Sequence, residues 1–443
     1  TMAISNIKAY SHLTDEDIEE IGRRLDAIQK EVEDSLGDND VAYIKGLIRF
    51  QRGLEVGGRA ALLFSHKKPL FWLGTGMLGL SKILENMEIG HNVIHGQWDW
   101  MNDPEIHSTT WEWDMTCPSS QWMHSHNFVH HKYTNILGMD NDVGYGILRV
   151  TRDRKWSPFF LAQPLTNAVL ASLFQWAVAF YDVELGRYFA GKQSWEETAP
   201  RFWDVVHKSK RQVIKDYILF PALSGTHFAT TAKANMYANL ARNLWSYAVI
   251  FCGHFPDETE TFTKEQFANE TQGEWYLRQM LGSANFHGGK ILTILSGNLN
   301  YQIEHHLFPD MPSNRLADVG KKVRALAEEY DLPYNVDSFP VQFLKVQRTL
   351  LKLTLPNRFL AAHPHNAPEV RSEKAITEEM EAKLHTGVDA HGLRRGLRPA
   401  LKMLKQLRPS VAEGTAHLIR AALGKDTNRA RPTVKASGSR GQL

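Results

Sequence analysis

His126-Asn-Phe-Val-His130-His131 is the stretch that decides how this chain reads. Two related clusters flank it: His91-Asn-Val-Ile-His95 upstream and Gln302-Ile-Glu-His305-His306 downstream. Seven of the 20 histidines sit in these three short runs. On a helix, residues three or four apart share a face. His91 can therefore aim with His95, His126 with His130, and Gln302 with His305 or His306. Three helices converging with such pairs make a nitrogen-rich metal cage. A zinc site uses four positions, so seven imidazoles and an amide suit two metals. Imidazole accepts iron, zinc, copper and nickel alike, so ligand type does not choose among them. A lone HxxxH on a helix is weak evidence; three clusters in this order are specific.

The flanking residues narrow the reading. Residues 126–142 are HNFVHHKYTNILGMDND, and the third cluster lies in GNLNYQIEHHLFPDMP at 297–312. With its order HxxxH, HxxxHH, QxxHH, the chain resembles the membrane fatty acid desaturases over roughly residues 10–370. ENMEIGHNVIHGQWDWMNDPEIH at 85–107 is similar to the actinobacterial acyl-CoA Δ9 branch. The resemblance implies two irons, molecular oxygen as co-substrate, and removal of two hydrogens from adjacent methylenes of a long-chain acyl-CoA. It implies His91, His95, His126, His130, His131, His305 and His306 as ligands, with Gln302 a weaker member. It also implies one further histidine between the second and third boxes. His254, in Phe-Cys-Gly-His-Phe-Pro after the apolar run 241–252, fits that place; the alternative is an interfacial histidine without metal.

An alkyl chain has no acidic proton or polarised bond, so acid–base side chains cannot remove its hydrogens; metals with oxygen can. Ligands do not separate desaturation from hydroxylation, so an alkane or acyl hydroxylase stays open, as does a desaturase acting on phospholipid-bound chains. From a different class, a zinc hydrolase or a metal store stays open too. No GxGxxG follows a strand, and neither CxxC nor HPGG occurs. The family therefore implies a separate NADPH-dependent reductase, with or without a ferredoxin-like carrier. Glu88, Asp99, Asp114, Asp142 and Glu304 are candidates to accept the spare N–H of a ligating imidazole. Asn300 is a candidate to orient Gln302 or a metal-bound water. His107, His124, His227 and His287 are expected to bind no metal. Trp98, Trp100, Trp111, Trp113 and Trp122 suit an interfacial aromatic belt or, alternatively, an acyl tunnel.

The 443 residues include only Cys117 and Cys252, too few for a disulfide framework, and the acidic start does not read as a cleavable leader. Charged residues make up 23%, an ordinary soluble value. Residues 14–36 read as an amphipathic helix capped by Thr14 and ended by 37–40, and 41–64 as a second helix. Residues 69–84 lead helically into the first box. Residues 156–181 carry no charge but are flanked by basic residues on both sides, which suits an in-plane or re-entrant segment. Residues 217–255 read as a hairpin turning near 230–235. The expected fold is all-α and integral to the cell membrane, multi-pass, with about four transmembrane helices under a cytosolic helical cap that holds the di-iron site. The expected divisions are an N-terminal cytosolic helix (1–40), a desaturase domain (41–370) and a basic tail (371–443). From Arg394 onward, twelve Lys/Arg face only Glu413 and Asp426. That suits a solvated tail or a basic helix on anionic lipid. Without aromatics to stack bases, it does not suit nucleic acid.

Overall fold

The computed structural model describes residues 4–140, 142–189, 191–359 and 370–371. The basic tail and its two readings lie outside the described residues.

The fold is helical, and its first helix forms as its sequence dictates. Asp15–Asp34 starts at Thr14, whose side chain accepts from the Asp17 backbone while the Asp17 carboxylate reaches back to Thr14 N–H. That reciprocal capping satisfies two otherwise orphaned donors, and the acidic first turn suits the helix dipole. The apolar face of this helix, with Ile18, Ile21 and Leu25, packs on helix Gln272–Leu281. The two backbones approach closely: a β-carbon on Gly22 would stand 3.2 Å from the Gly273 Cα. The same core takes in Ile303, Leu307 and Phe308 around the third histidine cluster. The N-terminal helix thus braces the platform under the third histidine cluster.

Asp38–Leu62 begins directly after Gly37, so residues 37–40 open a helix as well as closing one. It pairs with Lys68–Leu84, and that helix packs on Phe228–His254. Helix Trp195–Ile214 continues through a wide π-turn, Lys215–Leu219, into Phe220–Leu223. The chain then turns at Gly225, whose φ of +58° suits glycine, and enters Phe228–His254. The turn expected near 230–235 therefore lies earlier. Thr231 and Asn235 are buried inside the helix, where Thr231 bonds Ser65 and the Leu62 carbonyl. Two small parallel strand pairs complete the fold, Glu260–Thr261 with Val370–Arg371 and Asn285–His287 with Val336–Ser338.

The expectation of about four transmembrane helices is overturned: among the described residues no helix is long and apolar enough to cross a membrane. The reasons are local. Lys68–Leu84 is apolar but has 17 residues, short of the roughly 20 a span needs. Asp38–Leu62 is long enough but carries Lys45, Arg49, Arg52, Glu55 and Arg59. Phe228–His254 interleaves Lys233, Asn235, Asn239, Arg242, Asn243 and Ser246. The uncharged stretch 156–181 breaks at Leu173 into helices Gln163–Ser172 and Phe174–Asp182. Internal pairing explains several of these charges. Lys82 bridges Asp114 and Asp216, both at 2.9 Å, and Arg59 also reaches Asp216.

Candidate metal centre

Each histidine cluster sits where regular helix gives way. Lys68–Leu84 widens into a π-turn, Glu85–His91, before the short helix Asn92–Ile94. The second cluster spans another π-turn, Met123–His130, and helix His131–Tyr133. Such i→i+5 turns are rare and frequently sit at functional sites. The third follows a 3₁₀ turn, Leu299–Tyr301, on helix Gln302–Leu307. His254 is the last residue of Phe228–His254. The loop before the third cluster crosses the first at Gly297, where a β-carbon would stand 2.5 Å from the Met87 carbonyl oxygen.

These elements converge into two groups of imidazoles, linked by a third set, His126, His130 and Asp142. His91, His95, His126 and His305 form one; His130, His254 and His306 form the other. Within each, the ligating atoms lie within 4.8 Å of one another. His131 packs between them, its ring 4.7 Å from that of His95 and 4.3 Å from that of His306, and joins neither. Gln302 Nε2 lies 3.0 Å from His254 Nε2, so the amide borders the second group.

The donor atoms fit a pair of metal cations. Nε2 of His95, His130, His131 and His305 is buried without a hydrogen-bond partner, as are His254 Nδ1 and Gln302 Oε1. Each such orphan costs about 1–3 kcal/mol. Clustered lone pairs of this kind are what a bound cation would satisfy.

The outer nitrogens are held. His130 Nδ1 bonds both Asp140 oxygens at 3.0 and 3.1 Å, and His126 Nδ1 bonds Asp142 at 3.1 Å. His91 Nδ1 meets the Asn92 amide oxygen at 2.9 Å. His306 Nδ1 meets Gln279 Oε1 and Thr134 Oγ1. These contacts fix ring orientation and leave Nε2 facing inward. Burial pushes His95, His126, His131, His254, His305 and His306 well below the usual imidazole pKa, and His91 to about 4. These rings are neutral at pH 7, the form that ligates. At His130 burial acts in the same direction, but the Asp140 and Asp142 carboxylates outweigh it and raise the pKa to about 9. The charge that favours a proton there also favours a metal cation.

Other expected residues separate from the site. Of the carboxylates named from sequence, only Asp142 meets a cluster imidazole. Glu88 bonds Tyr43, Asn92, Asn298 and Ser313, one step removed through Asn92. Glu304 bonds Asn285 and Tyr334, Asp99 holds Ser108, and Asp114 pairs with lysines. Asn300 donates to Thr293 rather than to Gln302. His124 stacks on Phe128, and His66 on His227, away from the cage. Asp140, Asn92, Gln279 and Thr134 were missed. Asn92, Thr134 and Asp140 lie in the quoted stretches, and of the three only Asp140 carries the carboxylate that could have signalled its role.

A narrow cavity, about 40 Å³ in volume, borders both groups, reaching His91, His126 and His254. Its other walls are mostly apolar, among them Met87, Trp113, Phe174 and Ile250. Trp122 lines it and stacks on His126 at 4.3 Å. Trp98, Trp113 and Trp122 are buried, which removes them from an interfacial belt.

Fold and site together define a helical protein with paired histidine groups beside an apolar cavity. The chain belongs to the fatty acid desaturase family, whose sequence profile matches residues 68–338. It is 51% identical over 417 residues to the NADPH-dependent stearoyl-CoA 9-desaturase of Mycobacterium tuberculosis, covering 92% of this chain and 96% of that protein. It is 24% identical over 330 residues to the sn-1 linoleoyl-lipid 6-desaturase of Synechocystis, covering 71% and 89%. It is 23% identical over 251 residues to human fatty acid desaturase 3, covering 53% and 50%.

Proposed function

We infer that this chain is an acyl-CoA 9-desaturase. In this reading it holds two irons, uses molecular oxygen, and takes electrons from a separate NADPH-dependent reductase. The observation that carries it is the apolar cavity meeting both imidazole groups. The similarity to the stearoyl-CoA 9-desaturase supports the substrate and the position.

Bound metals with oxygen would supply the oxidising power that acid–base side chains lack. The chain's own residues do the rest. His91, His126 and His254 present their rings to the cavity, so an alkyl chain lying there passes both groups. Met87, Trp113, Phe174 and Ile250 exclude water and fix the chain by packing. Asp140 and Asp142 hold the outer nitrogens of His130 and His126, so the inner nitrogens do not wander. A held chain offers neighbouring methylenes in turn, which favours loss of two hydrogens over oxygen insertion.

The test is incubation of iron-loaded protein with stearoyl-CoA, an NADPH-fed reductase and oxygen. The product should be lighter than the substrate by two hydrogens, with the double bond at carbon nine. A product heavier by one oxygen would make it a hydroxylase. Turnover confined to phospholipid would keep the chemistry and discard the carrier.

A further inference from the structure

The cavity at the histidines shares wall residues with one further space, and that space shares others with a third. Ser125 and Asp182 line it and also line a chamber with Tyr181 and Arg201. His124, Val129, Glu184 and Arg201 in turn line both that chamber and a broad surface basin. Arg187 and Lys192 edge the basin. The Lys264 amine lies over Gly138 in its wall, 3.9 Å from where a β-carbon would stand. Three spaces in series, each sharing wall residues with the next, therefore run from the apolar walls beside the histidine groups to a basin edged by Arg187, Lys192 and Arg201.

The charges at that basin are only partly spent. Glu184 holds Arg201 at 3.2 Å and Arg187 at 3.5 Å, one carboxylate shared by two guanidiniums. The Glu197 carboxylate accepts from Ser194 N–H and caps its own helix. Lys192 is exposed and enters no ion pair among the described residues. A second cationic basin, around Lys321 and Arg324, shares no wall residue with the cavity; the turn Leu299–Tyr301 stands between them.

We propose that the acyl chain enters by this route, and that Arg187, Lys192, Arg201 and Lys264 hold the phosphates of its coenzyme A carrier at the mouth. This rests on the acyl-CoA reading above and adds to it the element that selects the carrier. Cations around a concave mouth gather and orient a polyanionic head. The thioester and alkyl chain then point past His124 and Ser125 toward the histidines. A carrier without phosphates gains nothing from these residues.

The test compares kcat/KM for stearoyl-CoA with kcat/KM for stearoyl-N-acetylcysteamine, the same thioester without phosphates. The full-length, iron-loaded protein and the Arg187→Ala/Lys192→Ala variant are assayed side by side. The ratio cancels any loss of folded or metal-loaded protein. The variant should lower it about tenfold, and added salt should lower it for the unaltered protein. An unchanged ratio overturns the proposal. So does an equal fall in a Lys321→Ala/Arg324→Ala variant, which would place the phosphates in the other basin. If the unaltered protein turns over neither thioester but desaturates phospholipid, the acyl-CoA reading fails first, and the proposal with it.

Discussion

Asp140→Asn removes one charge from a carboxylate that organises half of the second histidine cluster. Asp140 is fully buried and accepts from His130 Nδ1 through both oxygens. It also accepts from Asn135 N–H at 2.8 Å and Asp142 N–H at 2.9 Å. Asparagine keeps one acceptor oxygen and puts an NH₂ where the other stood. Whichever oxygen is replaced, a backbone N–H, that of Asp142 or of Asn135, then faces a donor, at a cost of about 1–3 kcal/mol. Loss of the outer partner of a ligating histidine also costs about 10- to 100-fold in metal affinity, or roughly 1.4–2.7 kcal/mol. The cost of the mismatched donor alone, about 1–3 kcal/mol, stays below the roughly 5–15 kcal/mol that holds a domain folded, so the variant should fold. The assay is chelator competition for iron, followed by turnover. Asp99→Asn serves as control, because Asp99 holds Ser108 outside the cage. The variant should lose iron at 10- to 100-fold lower chelator while the control does not. Iron affinity and turnover unchanged in Asp140→Asn would refute the role given to this carboxylate.

Lys82→Met leaves Asp114 and Asp216 facing each other without the ammonium between them. It should lower stability by about 3 kcal/mol in denaturant titration, and a loss under about 1 kcal/mol would show that Arg59 and Lys215 suffice. Gly253→Ala places a β-carbon 2.7 Å from Gln302 Cγ, beside His254. Iron affinity should fall about tenfold, while Gly79→Ala, whose nearest neighbour would be at 3.8 Å, keeps it. In the metal-free protein, burial holds most cluster imidazoles below their unfolded pKa, so the unfolded chain binds more protons below about pH 6.5. Stability from these groups is complete above that pH and lost as pH falls toward His91's value of about 4. A melting temperature that is flat between pH 7.5 and 5.5 would contradict this.

The clustering of the histidines was legible because their spacing is a local property, though His126 and His130 fall in different groups. His91 with His95 and His126 with His130 share faces whatever the rest of the chain does. Thr14 and its acidic turn announced the first helix for the same reason. The π-turns carrying two of the clusters were not legible, since no residue type demands an i→i+5 bond. Gln279 and Thr134 reach His306 only after separate elements converge, so no spacing could reveal them. Asp140 and Asp142 lie two apart in one loop, and sequence could not assign each to its own imidazole. The expected membrane spans failed on packing. Thr231 and Asn235, read as a turn, are buried in the interior of a helix, and charges such as Lys82 are paired inside the bundle.

The central claim is that two adjoining imidazole groups each hold one iron. Iron per chain, counted after reconstitution in the unaltered protein and in His305→Ala, His306→Ala and His124→Ala, tests it most directly. The unaltered protein and His124→Ala should hold two irons. His305→Ala should lose iron from the first group and His306→Ala from the second, with turnover abolished in both. One metal per chain in the unaltered protein, or two irons and full turnover in His305→Ala, would contradict it.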